Sequence, residues 1–307
     1  MKRALRAGVQ SIVRRFGYEF RRTDAPFRAT DDYVTRYEPR WGYDKPPHEA
    51  IRQRLAVNTA DYAATLRAFL AYRDIFHGLT REGDPANPSR PYWRNSYFSV
   101  LDAVSLMGFL LHGKPRLYLE IGCGHSTRFA RHAISAGRLD TKIVSVDPEP
   151  RVDVDTLCDR VIRSRLEDCD VTLFDDLRSG DVLFFDGTHR ILQNSDVTVF
   201  FLEILPRLKP GVLVHVHDIF WPEDYPQRWV ERFYSEQYVL GTMLLSNAPM
   251  FRVVLPNRFV YQDPALFKLV HDLFRGVNGH EGIPFEYPSG LPAASFWLES
   301  GTQTPGA

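Results

Sequence analysis

Two short segments of the chain combine acidic and histidine side chains. They read Asp186-Gly-Thr-His189 and His217-Asp218, and each follows an apolar run of strand length. Histidine and carboxylate side chains transfer protons in many active sites, and both bind divalent cations such as Mg²⁺ and Mn²⁺. These residues are therefore candidates for proton transfer or for metal binding, provided that the fold brings the two segments together.

A glycine-containing segment, Glu120-Ile-Gly-Cys-Gly-His-Ser-Thr127, is a candidate binding loop. Gly122 and Gly124 permit a tight turn and allow a ligand to approach the backbone closely. The helix predicted after Ser126 directs its unpaired N–H groups at the same place. Ligands bind at the carboxyl ends of strands in α/β sheets, and the segment follows a predicted strand.

The acidic residue Asp147 ends the next predicted strand. It lies about as far downstream as the ribose-binding carboxylate of a dinucleotide-binding unit. A dinucleotide fingerprint requires a third glycine where this chain has Thr127. Glu120, just before the first glycine, suits a cationic ligand such as a sulfonium better than a diphosphate. A nicotinamide dinucleotide is the competing ligand.

Strands and helices alternate from about residue 92 onward, which predicts βαβ units and a mainly parallel sheet. The predicted strands span 116–121, 142–146, 160–162, 181–185, 212–216 and 251–255, with a last antiparallel strand at 295–298, and the predicted helices span 126–136, 195–208, 227–234 and 237–245. A turn-rich stretch at 82–91 divides a helical and irregular extension, 1–91, from a domain over 92–300. Residues 301–307 are expected to be a disordered tail.

The composition limits the partners and the compartment. Lys and Arg together number 38, as do Asp and Glu, so the formal net charge is zero. The charge of the whole chain therefore gives no indication of nucleic-acid binding. The three cysteines form no CxxC pair, which favours the reducing cytoplasm. No apolar run is long enough to cross a bilayer. Residues 1–22 predict a basic amphipathic helix that docks on its own domain or contacts a membrane peripherally.

The loop Glu120–Thr127 resembles motif I of class I S-adenosylmethionine methyltransferases, and the resemblance extends over roughly 92–300. The segments 92–103, 181–189 and 215–222 resemble a bacterial branch of that family, often called family 24. The resemblance implies an α/β, Rossmann-like sheet of order 3-2-1-4-5-7-6 with helices on both faces.

The same resemblance implies roles for the residues of the cofactor loop. Glu120, Gly122 and Gly124 are expected to flank the methionine portion of S-adenosylmethionine, with Ser126 at the start of the adjoining helix. Asp147 is expected to bind the ribose hydroxyls, and Glu167 to lie near the adenine.

The segments after the fourth and fifth strands resemble macrocin- and mycinamicin-type sugar O-methyltransferases, which depend on a metal. On that comparison Asp186 and Asp218 bind Mg²⁺ or Mn²⁺ and His189 is the general base, so that His189 and Asp186 are the candidate catalytic residues. His217 is a further candidate ligand for the metal. Those enzymes carry an acid where this chain has His217, so a metal-free site remains open.

The expected function is O-methylation of a hydroxyl on a small molecule or glycan. A non-catalytic S-adenosylmethionine-binding module and an NAD-dependent oxidoreductase are the alternatives.

Overall fold

The structure is a computed structural model that describes residues 37–246, 250–275 and 293–301. The predicted basic helix at 1–22 and the predicted tail from residue 302 onward lie outside these residues. The compact unit that contains the sheet begins at Glu38.

A seven-stranded sheet forms the centre of this unit, in the order β3-β2-β1-β4-β5-β7-β6. Its strands are β1 (Leu117–Ile121), β2 (Lys142–Val146), β3 (Arg160–Ile162), β4 (Val182–Phe185), β5 (Leu213–Val216), β6 (Phe251–Pro256) and β7 (Phe296–Ser300). The first five strands are parallel, whereas β7 lies antiparallel between β5 and β6. The predicted Rossmann-like sheet order and the antiparallel last strand are confirmed.

The central strands are mostly apolar, as expected where helices cover both faces of a sheet. Every residue of β1 and β4 is buried. The described helices are α1 (Glu49–Ala56), α2 (Thr59–Phe69), α3 (Arg73–His77), α4 (Val100–Gly113), α5 (His125–Ala136), α6 (Asp196–Val199), α7 (Glu236–Leu245), α8 (Asn257–Gln262) and α9 (Pro264–Asp272). The predicted helix at 227–234 is instead a 3₁₀ turn, Gln227–Arg232.

Helix α4 was not predicted from the sequence. Most of its side chains are buried, so it lacks the polar face that gives a surface helix its periodic pattern. Ser99 begins the helix because its hydroxyl accepts a hydrogen bond from the backbone N–H of Asp102 (3.2 Å).

Helices α1 to α3 pack into the same hydrophobic core as the sheet. Buried residues of these helices, such as Leu55, Leu66 and Phe76, belong to one cluster with the strands. Residues 38–91 therefore pack as part of the unit that contains the sheet. The predicted domain boundary at residue 91 stays a prediction. In the described ranges no helix has the length and apolar character that crossing a membrane requires.

Candidate active site

A cavity of about 770 Å³ opens at the carboxyl ends of the parallel strands. Gly122 follows β1, Asp147 follows β2, Asp186 follows β4 and Asp218 follows β5, and all four residues line this cavity. Its volume is that of an ordinary small-molecule site. The fold thus brings together the glycine loop and the two acid–histidine segments, as the sequence predicted.

The glycine loop passes close to the end of β4. Gly122 has φ +78°, and a Cβ atom built there would lie 2.0 Å from the carbonyl oxygen of Asp186. Only glycine fits this position, because the backbone is left-handed and the space is filled by another main chain. Gly124 and Ser126 continue the loop along the cavity wall. Gly122 therefore fixes the distance between the loop and the acidic segment.

Asp147 holds the loop from the neighbouring strand. Its Oδ2 atom accepts a hydrogen bond from the N–H of Cys123 (2.9 Å), and its Oδ1 atom accepts one from the N–H of Glu149 (2.8 Å). A carboxylate has about four acceptor positions. Both oxygens can therefore accept further hydrogen bonds from hydroxyl groups in the cavity.

Glu120 lies beneath the loop and is not part of the cavity wall. Its carboxyl group is fully buried and accepts hydrogen bonds from the hydroxyls of Thr127 (2.7 Å) and Tyr118 (3.2 Å). Burial raises the pKa of Glu120 to about 8. Glu167 also lies outside the cavity lining, on a 3₁₀ turn where its carboxylate is 3.8 Å from Arg165. Of the predicted cofactor residues, these two are not brought to the cavity.

His125 begins α5 and faces the cavity. Its ring stacks on Tyr97 with centroids 5.7 Å apart. Burial lowers the pKa of His125 to about 4, so the imidazole is neutral. Its Nδ1 atom is buried, and none of the described residues forms a hydrogen bond with it. A buried polar atom of this kind fits a hydrogen bond to a ligand.

The predicted acid–histidine residues form one cluster. Asp186 Oδ1 lies 3.3 Å from His189 Nε2 and 3.4 Å from His217 Nδ1. Asp218 lies 3.6 Å from His189 Nε2 and 3.7 Å from His217 Nδ1. The histidines are almost fully buried, whereas the side chain of Asp186 is 37% exposed and that of Asp218 is 12% exposed. The carboxylates are thus the more accessible groups.

Two further acids complete the cluster, and the sequence reasoning missed both. Glu236, the first residue of α7, contacts His189 Nδ1 from below. Asp102 of α4 lies 3.8 Å from His217 Nε2. Asp102 is fully buried and accepts hydrogen bonds from the backbone N–H groups of Ala294 and Ser295. Each ring nitrogen of the two histidines therefore faces a carboxylate.

These carboxylates control the protonation of the histidines. Burial by itself lowers the pKa of His189, but the charges of Glu236, Asp186 and Asp218 outweigh burial and raise this pKa well above its usual value. The pKa of His217 is raised in the same way against burial, with Asp186 the largest opposing cause. The surrounding carboxylates therefore favour the imidazolium form of both rings.

Protonation changes the roles assigned from the sequence. An imidazolium has no lone pair with which to accept a proton or bind a metal. The raised pKa of His189 therefore argues against the role of general base, which stays a prediction. Nor does the geometry support the predicted Mg²⁺ or Mn²⁺ site at Asp186, His217 and Asp218. Over the described ranges no group of three or more His, Cys, Asp or Glu side chains is arranged to hold a metal ion.

Basic and aromatic residues from the segments that follow β4 and β5 also line the cavity. They are Arg190, Arg228, Trp229, Arg232 and Tyr234. The ring of Tyr234 also packs against His189, with centroids 4.4 Å apart. The cavity thus has three parts. The glycine loop forms its loop side, the acid–histidine cluster with Asp186 and Asp218 forms its acidic floor, and the arginine and aromatic residues form its basic aromatic side.

Comparison with known proteins gives one family match. Residues 119–219, about a third of the chain, match the model of family 24, described as a methyltransferase domain. The matched segment contains the glycine loop, Asp147 and both acid–histidine segments. Together with the sheet order, this match supports the class predicted from the sequence, a class I methyltransferase. No curated protein matches the chain.

Solved structures of two methyltransferases are similar to this chain. The O-methyltransferase from Bacillus cereus in complex with SAH is 15% identical, with 78% of this chain and 91% of that chain covered and a TM-score of 0.37. The SAH-bound methyltransferase PaMTH1 from Podospora anserina is 15% identical, with 69% and 93% covered and a TM-score of 0.36.

Proposed function

We propose that the protein is an S-adenosylmethionine-dependent methyltransferase that methylates a hydroxyl group on a small molecule or glycan. One observation carries the proposal. The glycine loop and Asp147 share a single cavity with the accessible carboxylates of Asp186 and Asp218. A cofactor and a hydroxyl acceptor can therefore meet beside groups that accept a proton.

The loop side of the cavity fits S-adenosylmethionine, which when bound supplies an electrophilic methyl group on a sulfonium centre. Asp147 would accept hydrogen bonds from the two ribose hydroxyls, since both of its oxygens retain acceptor positions. His125 would use its buried Nδ1 atom to bind a polar group of the cofactor. Glu120 supports this surface from below through Thr127, which in turn accepts a hydrogen bond from the N–H of Gly124 (3.0 Å).

The charge of the floor favours a cationic cofactor. Four carboxylates, those of Asp102, Asp186, Asp218 and Glu236, surround two imidazolium rings. With all four acids ionised, the cluster carries a net negative charge. Such a surface attracts a sulfonium and disfavours a diphosphate beside these acids.

Asp218 is proposed as the group that accepts the hydroxyl proton. Methyl transfer requires the oxygen to approach the methyl carbon in line and to lose its proton as the new bond forms. Asp186 and Asp218 are the more accessible acids of the cluster and both line the cavity. Burial raises the pKa of Asp218 and makes it the stronger base, whereas the two histidines lower the pKa of Asp186 despite its burial. Asp186 would orient the hydroxyl.

His189 and His217 are proposed as positioning residues. Each ring lies within 3.7 Å of both carboxylates, those of Asp186 and Asp218. His189 also lowers the pKa of Asp218 by its charge. This role differs from that of a base, because removing the ring should shift the pH dependence of turnover and not abolish it.

The cofactor assignment is tested first by thermal shift. S-adenosylmethionine at about 100 times its Kd should stabilise the protein by about 2.7 kcal/mol, whereas NAD should have no effect. Stabilisation by NAD alone would overturn the class of cofactor. Methyl transfer is then measured with labelled S-adenosylmethionine and a panel of hydroxyl compounds.

The roles of the acids are tested with an accepted compound from that panel. Asp218→Asn should lower turnover by roughly 10²–10⁴ and leave affinity for S-adenosylhomocysteine nearly unchanged. Asp168→Asn, at an exposed acid outside the cavity, is the matched control. His189→Gln should move the acidic limb of the pH profile upward, because Asp218 loses a neighbouring cation. Full turnover of Asp218→Asn would refute the assignment of the base.

A further inference from the structure

We propose that the methyl acceptor is anionic and that its phosphate or carboxylate group binds to Arg190, Arg228 and Arg232. These three residues are called the arginine wall. The inference rests on the proposed function, since it names the chemical class of molecule that enters the same cavity. It arises from the positive charges of the arginine wall, which have no part in the proposed methyl transfer.

The arginine wall lines the cavity but has no acidic partners. Arg190, Arg228 and Arg232 are exposed, and in the described ranges no carboxylate lies within 4.0 Å of their guanidinium groups. Exposed arginines elsewhere include some that do have such partners, such as Arg52 with Glu49 (2.8 Å), and others that have none among the described residues, such as Arg67. What distinguishes the arginine wall is that its three cations line one cavity, where they favour a bound anion. The cavity therefore offers an anion-binding side.

Two of the arginines are held in place by neighbouring groups. The guanidinium of Arg232 lies 4.3 Å from the ring centre of Trp229, and it donates a hydrogen bond to the hydroxyl of Tyr234 (3.3 Å). Arg190 Nε donates to the backbone carbonyl of Arg232 (2.8 Å). Each guanidinium has five N–H donors, so most donors remain for a ligand. A positioned guanidinium loses less freedom on binding a phosphate or carboxylate.

The two charged regions of the cavity specify the orientation of the acceptor. The acidic floor repels an anionic group, so that group cannot lie beside Asp186 and Asp218. The arginine wall attracts it to another part of the same lining. An acceptor with a hydroxyl at one end and an anionic group at the other would satisfy both regions. The rings of Trp229 and Tyr234 provide an apolar surface for the body of the molecule.

The test uses the full chain saturated with S-adenosylhomocysteine and three ring compounds of similar size. These probes are phenyl phosphate, benzoate and the neutral benzyl alcohol, and binding is measured by calorimetry. At least one anion should bind ten or more times as tightly as the neutral probe, because charge-assisted hydrogen bonds are the strong ones. Preference for phenyl phosphate assigns a phosphate-bearing acceptor, and preference for benzoate assigns a carboxylate-bearing one.

Variants assign the preference to the arginine wall. Arg228→Gln/Arg232→Gln should reduce the preference for the anion to less than threefold. The double variant Arg67→Gln/Arg160→Gln removes the same charge from exposed arginines outside the cavity and should retain the preference. Equal binding of anions and benzyl alcohol, or a preference that survives in Arg228→Gln/Arg232→Gln, would overturn the proposal.

The two proposals fail in different ways. Affinity for S-adenosylhomocysteine is measured first, in the absence of any probe. If S-adenosylhomocysteine does not bind, the proposed function is overturned. The three probes are then titrated into the free protein to test the arginine wall alone. Normal affinity for S-adenosylhomocysteine without anion preference overturns only the class of acceptor.

Discussion

Replacing Glu120 with Gln tests the ionisation of the carboxyl group that supports the glycine loop. Burial raises the pKa of this group to about 8, against an ordinary value of 4.5. Glutamine keeps an oxygen that accepts from Thr127 and replaces the second oxygen with an amide that can donate to Tyr118. The variant therefore retains the packing and removes only the titration.

The sign of the effect follows from the raised pKa. Between pH 4.5 and pH 8 the folded protein holds a proton on Glu120 that the unfolded chain has released. The contribution of Glu120 to stability is thus fully present below pH 4.5 and is lost as the pH rises toward 8. One pKa unit corresponds to about 1.4 kcal/mol, so wild type should lose about 3 kcal/mol relative to Glu120→Gln between pH 4.5 and pH 7.

Urea unfolding of both proteins at pH 4.5, 6, 7 and 8 measures this difference. Other groups titrate as well, but their contributions cancel when the variant is subtracted from wild type. The free energy of unfolding of Glu120→Gln should therefore change less steeply with pH. Parallel pH dependences of the two proteins would show that Glu120 is already ionised in the folded state and would refute the reasoning.

Three further substitutions follow from the hydrogen bonds and contacts of the site. Asp147→Ala should reduce affinity for S-adenosylmethionine at least tenfold, because charged hydrogen bonds contribute about 1.5–3 kcal/mol each; unchanged affinity by calorimetry in the folded variant would contradict the ribose assignment. Asp102→Ala should lower the free energy of unfolding by about 3–5 kcal/mol, since buried donors lose their acceptor; a loss below about 1 kcal/mol in urea would count against this. Gly122→Ala should lower the melting temperature far more than Gly180→Ala. Both glycines have positive φ, but only Gly122 faces the carbonyl of Asp186. Equal losses of melting temperature would show that the backbone relieves this contact at little cost in stability.

The sheet and the outline of the site could be predicted because local patterns encode them. Apolar runs bounded by turns located every strand, and the parallel arrangement placed Gly122, Asp147, Asp186 and Asp218 at one edge. The residues that complete the site come from distant parts of the chain. Glu236 and Asp102 reach the histidines from α7 and α4, and no sequence spacing reveals these contacts.

One signal for Asp102 was nevertheless present. An acidic residue within an otherwise apolar helix is costly to bury without partners, so Asp102 predicts buried hydrogen-bond donors beside it. The protonation of His189 gave no such signal. It depends on the carboxylates on both sides of the ring, and only the folded structure shows that both are occupied.

The position of β7 links the integrity of the sheet to that of the site. This strand follows β6 in the chain, yet it lies inside the sheet between β5 and β6. Ala294 and Ser295, just before it, supply the N–H groups that bind Asp102, which faces His217. If β7 came away from the sheet, β5 and β6 would each lose a neighbouring strand, and Asp102 would lose the N–H groups that hold it beside His217. Local opening of β7 would therefore leave the glycine loop in place and loosen the acid–histidine cluster, which couples the stability of this strand to the state of the site.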